Sequence, residues 1–404
     1  MQDDRAPQVN RRGFLQAGAT AMAVGSAGPA FAAQAPEKKG NVLPRRPLGK
    51  TGVDVTILNQ GTWKSPDSLD RLLRLGYAGG IRYIDTAKSY GSEPGVAKWL
   101  EAMPAGTRKE IFLVTKDSPN TPRQLIAQLD QRLAALKTDY IDLFFVHGIG
   151  GKERLDWPKS KEFKETIEAI KKSGKAKFVG FSCHDPLKAE YLSAAAEGGF
   201  VDAIMVAYTP WLDKDHALNR ALDACYKRGI GLISMKQIGG ANPPDLLREV
   251  PKHVPSLKEK GLSPYQGLLH AIWTDERISS SCVSMRNTDQ LREDVHAARV
   301  FEPLKKAEME QLHKAFVASR PTLCANCDGS CSRAAGTDAA LGDLTRLLTY
   351  HEQYGFRSDA RRLYSEMDPK HRDWAGADLD AARAACPNKL DFASLLPRVD
   401  RDLA

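Results

Sequence analysis

The sequence predicts an α/β protein, a closed (β/α)8 barrel of the TIM type followed by a helical C-terminal extension. Three observations support this prediction. The chain of 404 residues is about long enough for one large barrel plus an accessory segment. From about Val53 to Val300 it alternates short β-rich runs with amphipathic helical runs, as parallel α/β folds do. Eight such units over roughly 250 residues average about 31 residues each, which matches the repeat of a closed barrel.

The eight predicted strands are short runs rich in β-branched and aromatic residues. They are Val55–Leu58, Ile81–Asp85, Ile111–Lys116, Tyr140–His147, Ala176–Ser182, Ala203–Tyr208, Gly231–Met235 and Ser281–Met285. A helix is predicted over residues 121–136, with Thr121 as its N-cap, because leucines recur on one helical face: Leu125, Leu129, Leu133 and Leu136. An open doubly wound sheet is the alternative, disfavoured because no G-x-G-x-x-G motif follows the first strand.

Composition indicates a folded globular protein. Hydrophobic residues make up 42% and charged residues 27% of the chain, which disfavours global disorder and a fibrous architecture. The formal net charge of +8 arises from 58 basic and 50 acidic residues, spread along the chain without a run of five like charges. Since no basic stripe interleaved with aromatic residues accompanies this charge, a nucleic-acid partner is not expected.

Residues 1–33 are predicted to be an export signal. The run Arg11-Arg12-Gly13-Phe14-Leu15 precedes a stretch rich in Ala and Gly and then Ala30-Phe31-Ala32, which has the A-x-A form of a cleavage site. Its twin arginines resemble the signal of the twin-arginine (Tat) pathway, which exports folded proteins. We therefore expect the Tat translocase as a partner, a periplasmic mature chain and a linker over residues 34–44. A disordered basic tail is the alternative, and no transmembrane anchor is expected after cleavage, because the stretch is only mildly hydrophobic.

Polar residues end three consecutive predicted strands. Asp85, Lys116 and His147 are 31 residues apart in each case, one βα unit, so they should lie at one height at the carboxyl ends of neighbouring strands. Tyr90 follows Asp85 in the next loop. Each residue alone has a structural explanation, as a cap, a surface charge or a loop aromatic. Together they predict a catalytic site.

The chemistry of these four residues predicts carbonyl reduction. A phenol has a pKa near 10, and a neighbouring ammonium lowers it. Lys116 would provide that charge, Asp85 would pair with Lys116, and His147 would hydrogen-bond the substrate carbonyl. Tyr90 is thus the predicted general acid. Because side chains cannot donate hydride, a nicotinamide cofactor is required.

The run from Gly80 to Gly91, GIRYIDTAKSYG, resembles the signature of the aldo-keto reductases, whose catalytic tetrad is Asp, Tyr, Lys and His. All four match, as Asp85, Tyr90, Lys116 and His147. The runs Leu48-Gly49-Lys50-Thr51-Gly52 and Gly61-Thr62-Trp63 are also similar to that family's first hairpin and strand. The resemblance covers residues 45–320 and implies NADPH or NADH as cofactor and a small-molecule carbonyl substrate.

In that family a Ser and an Asn after the fifth strand and a Gln on the sixth bind the nicotinamide amide. Ser182 matches the Ser, whereas Cys183 replaces the Asn and either Val206 or Ala207 replaces the Gln. The resemblance also implies that Tyr208 stacks on the nicotinamide. These departures leave the choice between NADPH and NADH open.

The family's basic site for the 2′-phosphate of NADPH follows the eighth strand. It is similar in part to Ser284-Met285-Arg286-Asn287 and the run that begins at Gln290. Arg286 and Gln290 are therefore predicted to bind the cofactor, with Arg286 at the phosphate, which favours NADPH. A solvent-exposed loop arginine is the alternative.

Four of the seven cysteines follow the predicted barrel. They form Cys324-x2-Cys327-x3-Cys331, and then Cys386-Pro387. In the bacterial ferredoxin pattern C-x2-C-x2-C-x3-C-P, the Cys before Pro ligates the cluster held by the other motif. The spacing therefore predicts one [4Fe-4S] cluster held by Cys324, Cys327, Cys331 and Cys386. The remaining three, Cys183, Cys225 and Cys282, are predicted to be small buried hydrophobic residues.

A subset of aldo-keto reductases resembles this arrangement, with a ferredoxin-like tail after the barrel. The tail is assigned to residues 321–404. Two disulfides or a structural Zn²⁺ are the alternatives for the four cysteines. Export in the folded state favours the cluster, which would be assembled before export.

Two functions are consistent with the sequence. The first is an NAD(P)H-dependent enzyme that interconverts a carbonyl and an alcohol. The second is an exported iron-sulfur electron-transfer or binding protein on a non-catalytic barrel, with a redox partner protein. The matched tetrad favours the first, whereas export and the replacement at Cys183 favour the second.

Overall fold

A closed barrel of eight parallel strands forms the centre of the molecule, which confirms the predicted fold class. An antiparallel hairpin precedes it, formed by β1 (Arg45–Pro47) and β2 (Asp54–Thr56). The barrel strands are β3 (Leu58–Gly61), β4 (Tyr83–Asp85), β5 (Phe112–Asp117), β6 (Ile141–Val146), β7 (Ala176–Cys183), β8 (Ala203–Ala207), β9 (Gly231–Met235) and β10 (Ile278–Val283). Consecutive strands pair in parallel, and β10 closes the barrel against β3.

The structure is a computed structural model that describes most of the chain from residue 42 onward. The described residues are 42–65, 68–236, 254–318, 322, 324, 325 and 327–404. The predicted signal peptide at 1–33 and most of the linker at 34–44 lie outside them. Within the described part of the chain, every helix is too short or too polar to cross a bilayer.

Two predicted strands lie elsewhere than expected. Val55 and Thr56 belong to the hairpin, and the first barrel strand is β3, whose sequence Leu-Asn-Gln-Gly carries little β propensity. The last strand begins at Ile278, three residues before the predicted start, and contains a run of serines. The hydroxyl of Ser280 donates to the carbonyl of Thr56 at 2.8 Å, and that of Ser234 donates to Ser281 at 2.9 Å. These hydrogen bonds pair the hydroxyl groups of buried serines. The low β propensity of serine is the reason that the sequence did not predict a strand here.

Helices surround the barrel. They are α1 (Leu69–Ala78), α2 (Glu93–Glu101), α3 (Thr107–Glu110), α4 (Gln124–Leu136), α5 (Lys161–Lys172), α6 (Lys188–Gly198), α7 (Ala217–Lys227), α8 (Pro255–Glu259), α9 (Pro264–Thr274), α10 (Thr288–Arg299) and α11 (Lys306–Ala318). The helix predicted from residue 121 begins at Gln124, and its four leucines are buried as expected. Leu129 and its neighbours on this face pack in the core between strands and helices.

The C-terminal segment is defined as residues 321–404, and its described residues form six further helices. They are α12 (Ser330–Ala334), α13 (Leu341–Glu352), α14 (Arg357–Ser365), α15 (Pro369–Arg372), α16 (Leu379–Ala385) and α17 (Phe392–Leu403). The segment has its own hydrophobic core, in which Leu344, Leu348, Leu396 and Val399 are fully buried. Residues 41–404 form one compact unit, so barrel and segment pack together.

Candidate active site

The four predicted catalytic residues meet at the carboxyl ends of three adjacent strands. Asp85 is the last residue of β4, Lys116 lies near the end of β5, and His147 directly follows β6. Tyr90 ends a short 3₁₀ helix that follows β4. Because β4, β5 and β6 are neighbours in the barrel, the structure brings all four residues together.

Lys116 and Asp85 form an ion pair whose side chains are both 1% exposed. The Lys116 ammonium donates to Asp85 Oδ1 at 2.5 Å and to the carbonyl of Thr86 at 3.0 Å. Burial alone would lower the pKa of Lys116, but Asp85 and Tyr90 outweigh it, so the pKa is raised. Lys116 therefore remains a cation beneath the site.

Tyr90 lies against both Lys116 and His147. The Lys116 ammonium is 5.0 Å from the centre of its ring, and the His147 ring meets it edge-on at 5.4 Å between centroids. Burial raises the pKa of Tyr90 to about 12, although Lys116 acts in the opposite direction. The ammonium thus acts on the phenol as predicted, but burial is the larger effect. Tyr90 is a protonated donor at neutral pH.

His147 is a neutral imidazole. Burial, and then Lys116, lower its pKa to about 3. Its backbone N–H donates to the carbonyl of Asp117 at 2.7 Å, and its Nδ1 lies 3.3 Å from the Ser89 hydroxyl. A neutral ring can hydrogen-bond a substrate oxygen without adding a second cation beside Lys116.

A buried polar network supports these strands, and the sequence argument missed it. Arg132 Nη1 donates to Glu93 Oε2 at 2.8 Å, and Arg132 Nε lies 3.3 Å from Asp117 Oδ2. The hydroxyl of Thr115 donates to Glu93 Oε1 at 2.6 Å. Thr115 and Asp117 flank Lys116, so the network holds β5 in place. A signal existed, since Arg132 falls three residues after Leu129, on the buried face of α4.

A cavity of about 410 Å³ lies over the tetrad. On the barrel side, Tyr90, Lys116, His147 and Ser182 line it. The opposite wall comes from the C-terminal segment and is formed by Asp343, Arg346, Leu347, Tyr350, Leu363 and Met367. The volume is in the range of small-molecule sites.

The residues predicted at the nicotinamide amide lie on β7 and β8. Ser182 lines the cavity, and its hydroxyl accepts from the Gly148 N–H at 2.9 Å. Cys183 points away and is buried in the outer core. Met205, which pairs with Ser182, lines the cavity, whereas Val206 packs in the outer core. Since side chains alternate along a strand, Ala207 lies on the same side as Met205, which favours Ala207 over Val206 at the position of the family's Gln.

The other three predicted cofactor residues are not among those that line the cavity. The Tyr208 hydroxyl donates to Asp275 Oδ2 at 2.7 Å. The Arg286 guanidinium lies over the Phe356 ring at 4.2 Å, and its backbone N–H donates to Gln290 Oε1 at 2.9 Å. Burial lowers the pKa of Arg286. Their roles in cofactor binding stay predictions.

Comparison with known proteins identifies the family. The model of the aldo/keto reductase family matches residues 56–316. The chain belongs to this family. Aldo-keto reductases are oxidoreductases, and the family assignment agrees with the assembled tetrad.

Two curated aldo-keto reductases illustrate the similarity. Aldo-keto reductase family 1 member A1 of Mus musculus is 26% identical over 293 residues, which cover 65% of this chain and 88% of that protein. L-glyceraldehyde 3-phosphate reductase of Escherichia coli O157:H7 is 25% identical over 339 residues, 68% of this chain and 94% of that protein. A solved aldo-keto reductase of Bacillus halodurans has the same fold, with a TM-score of 0.53 and 22% identity over 68% of this chain and 96% of its own.

The C-terminal segment begins after the part that matches the family model. Three of its cysteines, Cys327, Cys331 and Cys386, lie near one another, since Cys327 and Cys386 add to the effect of burial in raising the pKa of Cys331 to about 12. Cys324 Sγ lies 3.0 Å from where a Cβ on Gly342 would stand. Among the described residues, no two cysteines form a disulfide. Among the described residues, no three His, Cys, Asp or Glu side chains are arranged to hold a metal ion.

In this aldo-keto reductase, side chains of the barrel contact the part of the C-terminal segment that begins at Cys327. The ammonium of Lys188, which is 1% exposed, donates to the carbonyl of Cys327. His216 Nε2 lies 3.1 Å from Asp328 Oδ1 and 3.2 Å from the Ser330 hydroxyl. These contacts join residues far apart in the sequence, so no local motif predicts them.

Proposed function

We propose that the protein interconverts a carbonyl and an alcohol with NADPH, or NADH, as the hydride carrier. The observation that carries this proposal is the position of Tyr90, which lines the cavity and lies against both the Lys116 ammonium and the His147 ring. The names of the two curated relatives, both reductases, support it.

In this proposal each tetrad residue has one task. Tyr90 transfers its phenolic proton to the carbonyl oxygen during reduction and takes it back during oxidation. Lys116 stabilises the phenolate left behind, and Asp85 keeps Lys116 charged and oriented. His147 hydrogen-bonds the carbonyl oxygen and directs it towards Tyr90.

The residues present fit a nicotinamide dinucleotide. Ser182 lines the cavity beside the tetrad, where its hydroxyl could meet the nicotinamide amide. Arg286 keeps Nε and Nη2 buried without a hydrogen-bond partner among the described residues, and such donors suit a phosphate. The bound cofactor would supply hydride to the carbonyl carbon.

The test of this function compares Tyr90→Phe with a matched control, Tyr226→Phe, at a residue that is 46% exposed. We expect Tyr90→Phe to lower kcat for aldehyde reduction by at least about 100-fold, because it removes the general acid. Binding of NADPH, followed by quenching of tryptophan fluorescence, should be unchanged. Full turnover by Tyr90→Phe would contradict the proposal.

The second part of the proposal is one [4Fe-4S] cluster held by Cys324, Cys327, Cys331 and Cys386. Their spacing and the proximity of the last three support it. Among the described residues no three His, Cys, Asp or Glu side chains are arranged to hold a metal ion, so the cysteine spacing carries this part of the proposal. Such a cluster passes one electron, whereas hydride transfer moves two, so we assign it a structural or partner-docking role.

Anaerobic purification tests the cluster. We expect broad visible absorption and about four irons per chain. Cys386→Ser should lower the iron content, whereas Cys225→Ser, in a barrel helix, should not. A colourless protein with one zinc would contradict the cluster.

The third part is export to the periplasm by the Tat translocase, proposed from the twin arginines at Arg11-Arg12. The cytoplasmic NADPH pool does not extend there, so turnover would need a retained cofactor or another donor, such as a redox partner protein. Replacing both arginines by lysine and fractionating cells tests this, with retention in the cytoplasm as the expected result.

A further inference from the structure

Helix α13 brings two charged side chains to the active-site cavity. Asp343 and Arg346 lie one helical turn apart on α13, and both line the cavity that holds Tyr90 and His147. They lie beyond residue 316, where the match to the family model ends. The C-terminal segment therefore adds chemistry to a site whose catalytic residues come from the barrel.

The charges of the described cavity residues do not balance. Three basic side chains line the cavity, Lys116, Lys236 and Arg346. Lys116 pairs with Asp85 at 2.5 Å, and Arg346 Nη1 pairs with Asp343 Oδ1 at 2.7 Å. Lys236 makes no ion pair with the residues that the structure describes. Among the described residues, the cavity thus has one basic side chain more than it has carboxylates to pair with.

The two cavity histidines do not change this balance. Burial lowers the pKa of His147 to about 3, and Lys236 followed by burial lowers that of His184 well below its usual value. Both are neutral at physiological pH. The charge of Lys236 acts on both histidine rings, which shows that Lys236 lies close to the tetrad.

Lys236 is held in a conformation that its side chain disfavours. Its φ of 58° lies in the left-handed region, which residues other than glycine seldom adopt. It directly follows β9, at the carboxyl end of the barrel. Burial, and then the nearby Arg346, lower the pKa of Lys236 to about 7, and a bound anion would favour its charged form. Such arrangements persist where a site needs them. An anion between the two cations would relieve the repulsion.

We propose that Lys236 and Arg346 form an anion-binding subsite that holds the carboxylate of the substrate while its carbonyl lies at Tyr90 and His147. This inference rests on the proposed function. Apolar side chains line the space around the subsite: Met205, Leu347, Leu363 and Met367. The substrate class is therefore an aldehyde or ketone with an apolar body and a carboxylate at its far end.

Two other anions could meet these cations, a phosphate of the cofactor and the cluster thiolate at Cys324, whose charge reaches Lys236 and Arg346. We favour the substrate carboxylate over these two anions, because Lys236 and Arg346 line the same cavity as Tyr90, the proposed general acid. The experiment separates the three.

The test compares para-carboxybenzaldehyde with benzaldehyde as substrates of the holoenzyme. The variants are Lys236→Met and Arg346→Met, and the control is Lys161→Met, at a side chain that is 89% exposed. We expect each variant to raise KM for the acid by about 10- to 100-fold, the range of a hydrogen bond to a charged group. KM for benzaldehyde, the Kd of NADPH and the iron content should stay within about threefold.

Several outcomes would overturn the subsite. Equal losses for both aldehydes would mean that the variants disturb the site as a whole. A matching rise in the Kd of NADPH would assign the cations to the cofactor phosphate, and a loss of iron with unchanged KM would assign them to the cluster. Arg346 is paired with Asp343, so Arg346→Met can fail to fold. In that case the result for Lys236→Met alone decides whether the subsite exists.

If the wild-type protein turns over neither aldehyde, the proposed function fails by itself. Calorimetry with benzoate and benzyl alcohol then tests the subsite alone. Binding of benzoate to the wild-type protein, lost in Lys236→Met, supports the subsite. No preference for benzoate overturns it.

Discussion

The two walls of the active-site cavity are built differently. The barrel wall consists of Lys116 and its neighbours on parallel strands, where hydrogen-bonded register sets the position of each side chain. The wall from the C-terminal segment consists of helices joined to the barrel by scattered side-chain contacts. Rings of Tyr350 and Phe356 meet Trp63 at 5.8 and 5.6 Å, and Lys64 pairs with Asp359 at 2.6 Å.

This difference separates two tasks. Proton transfer needs groups placed to a fraction of an ångström, which a closed sheet provides. Substrate choice tolerates, and benefits from, a wall that can change without disturbing the chemistry. The tetrad lies in the first wall, and Arg346 and the apolar side chains lie in the second.

The largest effect is expected in the barrel wall. Lys116→Met would leave the Asp85 carboxylate buried and unpaired, so we expect the free energy of unfolding to fall by about 3–5 kcal/mol. The double variant Lys116→Met with Asp85→Asn should recover part of this loss, because it removes the charge that the single variant leaves alone. Chemical denaturation measures both. A double variant less stable than Lys116→Met would contradict the ion-pair explanation.

A smaller effect is expected where the two walls meet. Phe356 contacts Trp63, Tyr350 and Arg286. Since Phe356 is only half-buried, Phe356→Ala should cost about 1–3 kcal/mol. Hydrogen exchange should become faster in α13 and α14 but not in β5, with Phe356→Leu as the milder control. Equal acceleration in β5 would mean that the walls are one cooperative unit.

The exposed contact between the walls should matter least for stability. Lys64 and Asp359 are 36% and 32% exposed, and water screens such pairs. Lys64→Met should therefore change the free energy of unfolding by less than about 1 kcal/mol. A double-mutant cycle with Asp359→Asn measures the coupling free energy of the pair itself. A coupling above about 1 kcal/mol would show that this pair holds the C-terminal segment in place.

No pH effect is expected from the tetrad near neutrality. Reduction needs a protonated Tyr90, which is lost only as pH rises towards its raised pKa of about 12. It also needs a neutral His147, which is lost only as pH falls towards about 3. kcat/KM for benzaldehyde should be flat between about pH 5 and 9. Lys236, in the same cavity, has a pKa of about 7, so the profile is also measured for Lys236→Met. A steady fall above pH 7 that persists in this variant would mean that Lys116 lowers the pKa of Tyr90 by more than burial raises it.

The sequence predicted more of the barrel than of the segment. Asp85, Lys116 and His147 could be placed at one height because strand ends recur at a fixed interval. The first and last strands were misplaced because Leu-Asn-Gln-Gly and a serine run lack β propensity, and only pairing with neighbours makes them strands. The sequence did not predict that the Arg286 guanidinium lies over the Phe356 ring, because these residues are distant in the chain.

By itself, then, the sequence determined the closed barrel, the tetrad and the family. Strands and helices can be recognised from local periodicity, and parallel pairing of consecutive strands then places their carboxyl ends side by side. Tertiary structure alone decided which face of α13 meets the barrel, and so that Arg346 and Lys236 share a cavity with Tyr90. It also decided that burial outweighs Lys116 at the Tyr90 phenol. The physical reason is the same in both cases: docking and desolvation depend on residues distant in the chain, which no local pattern encodes.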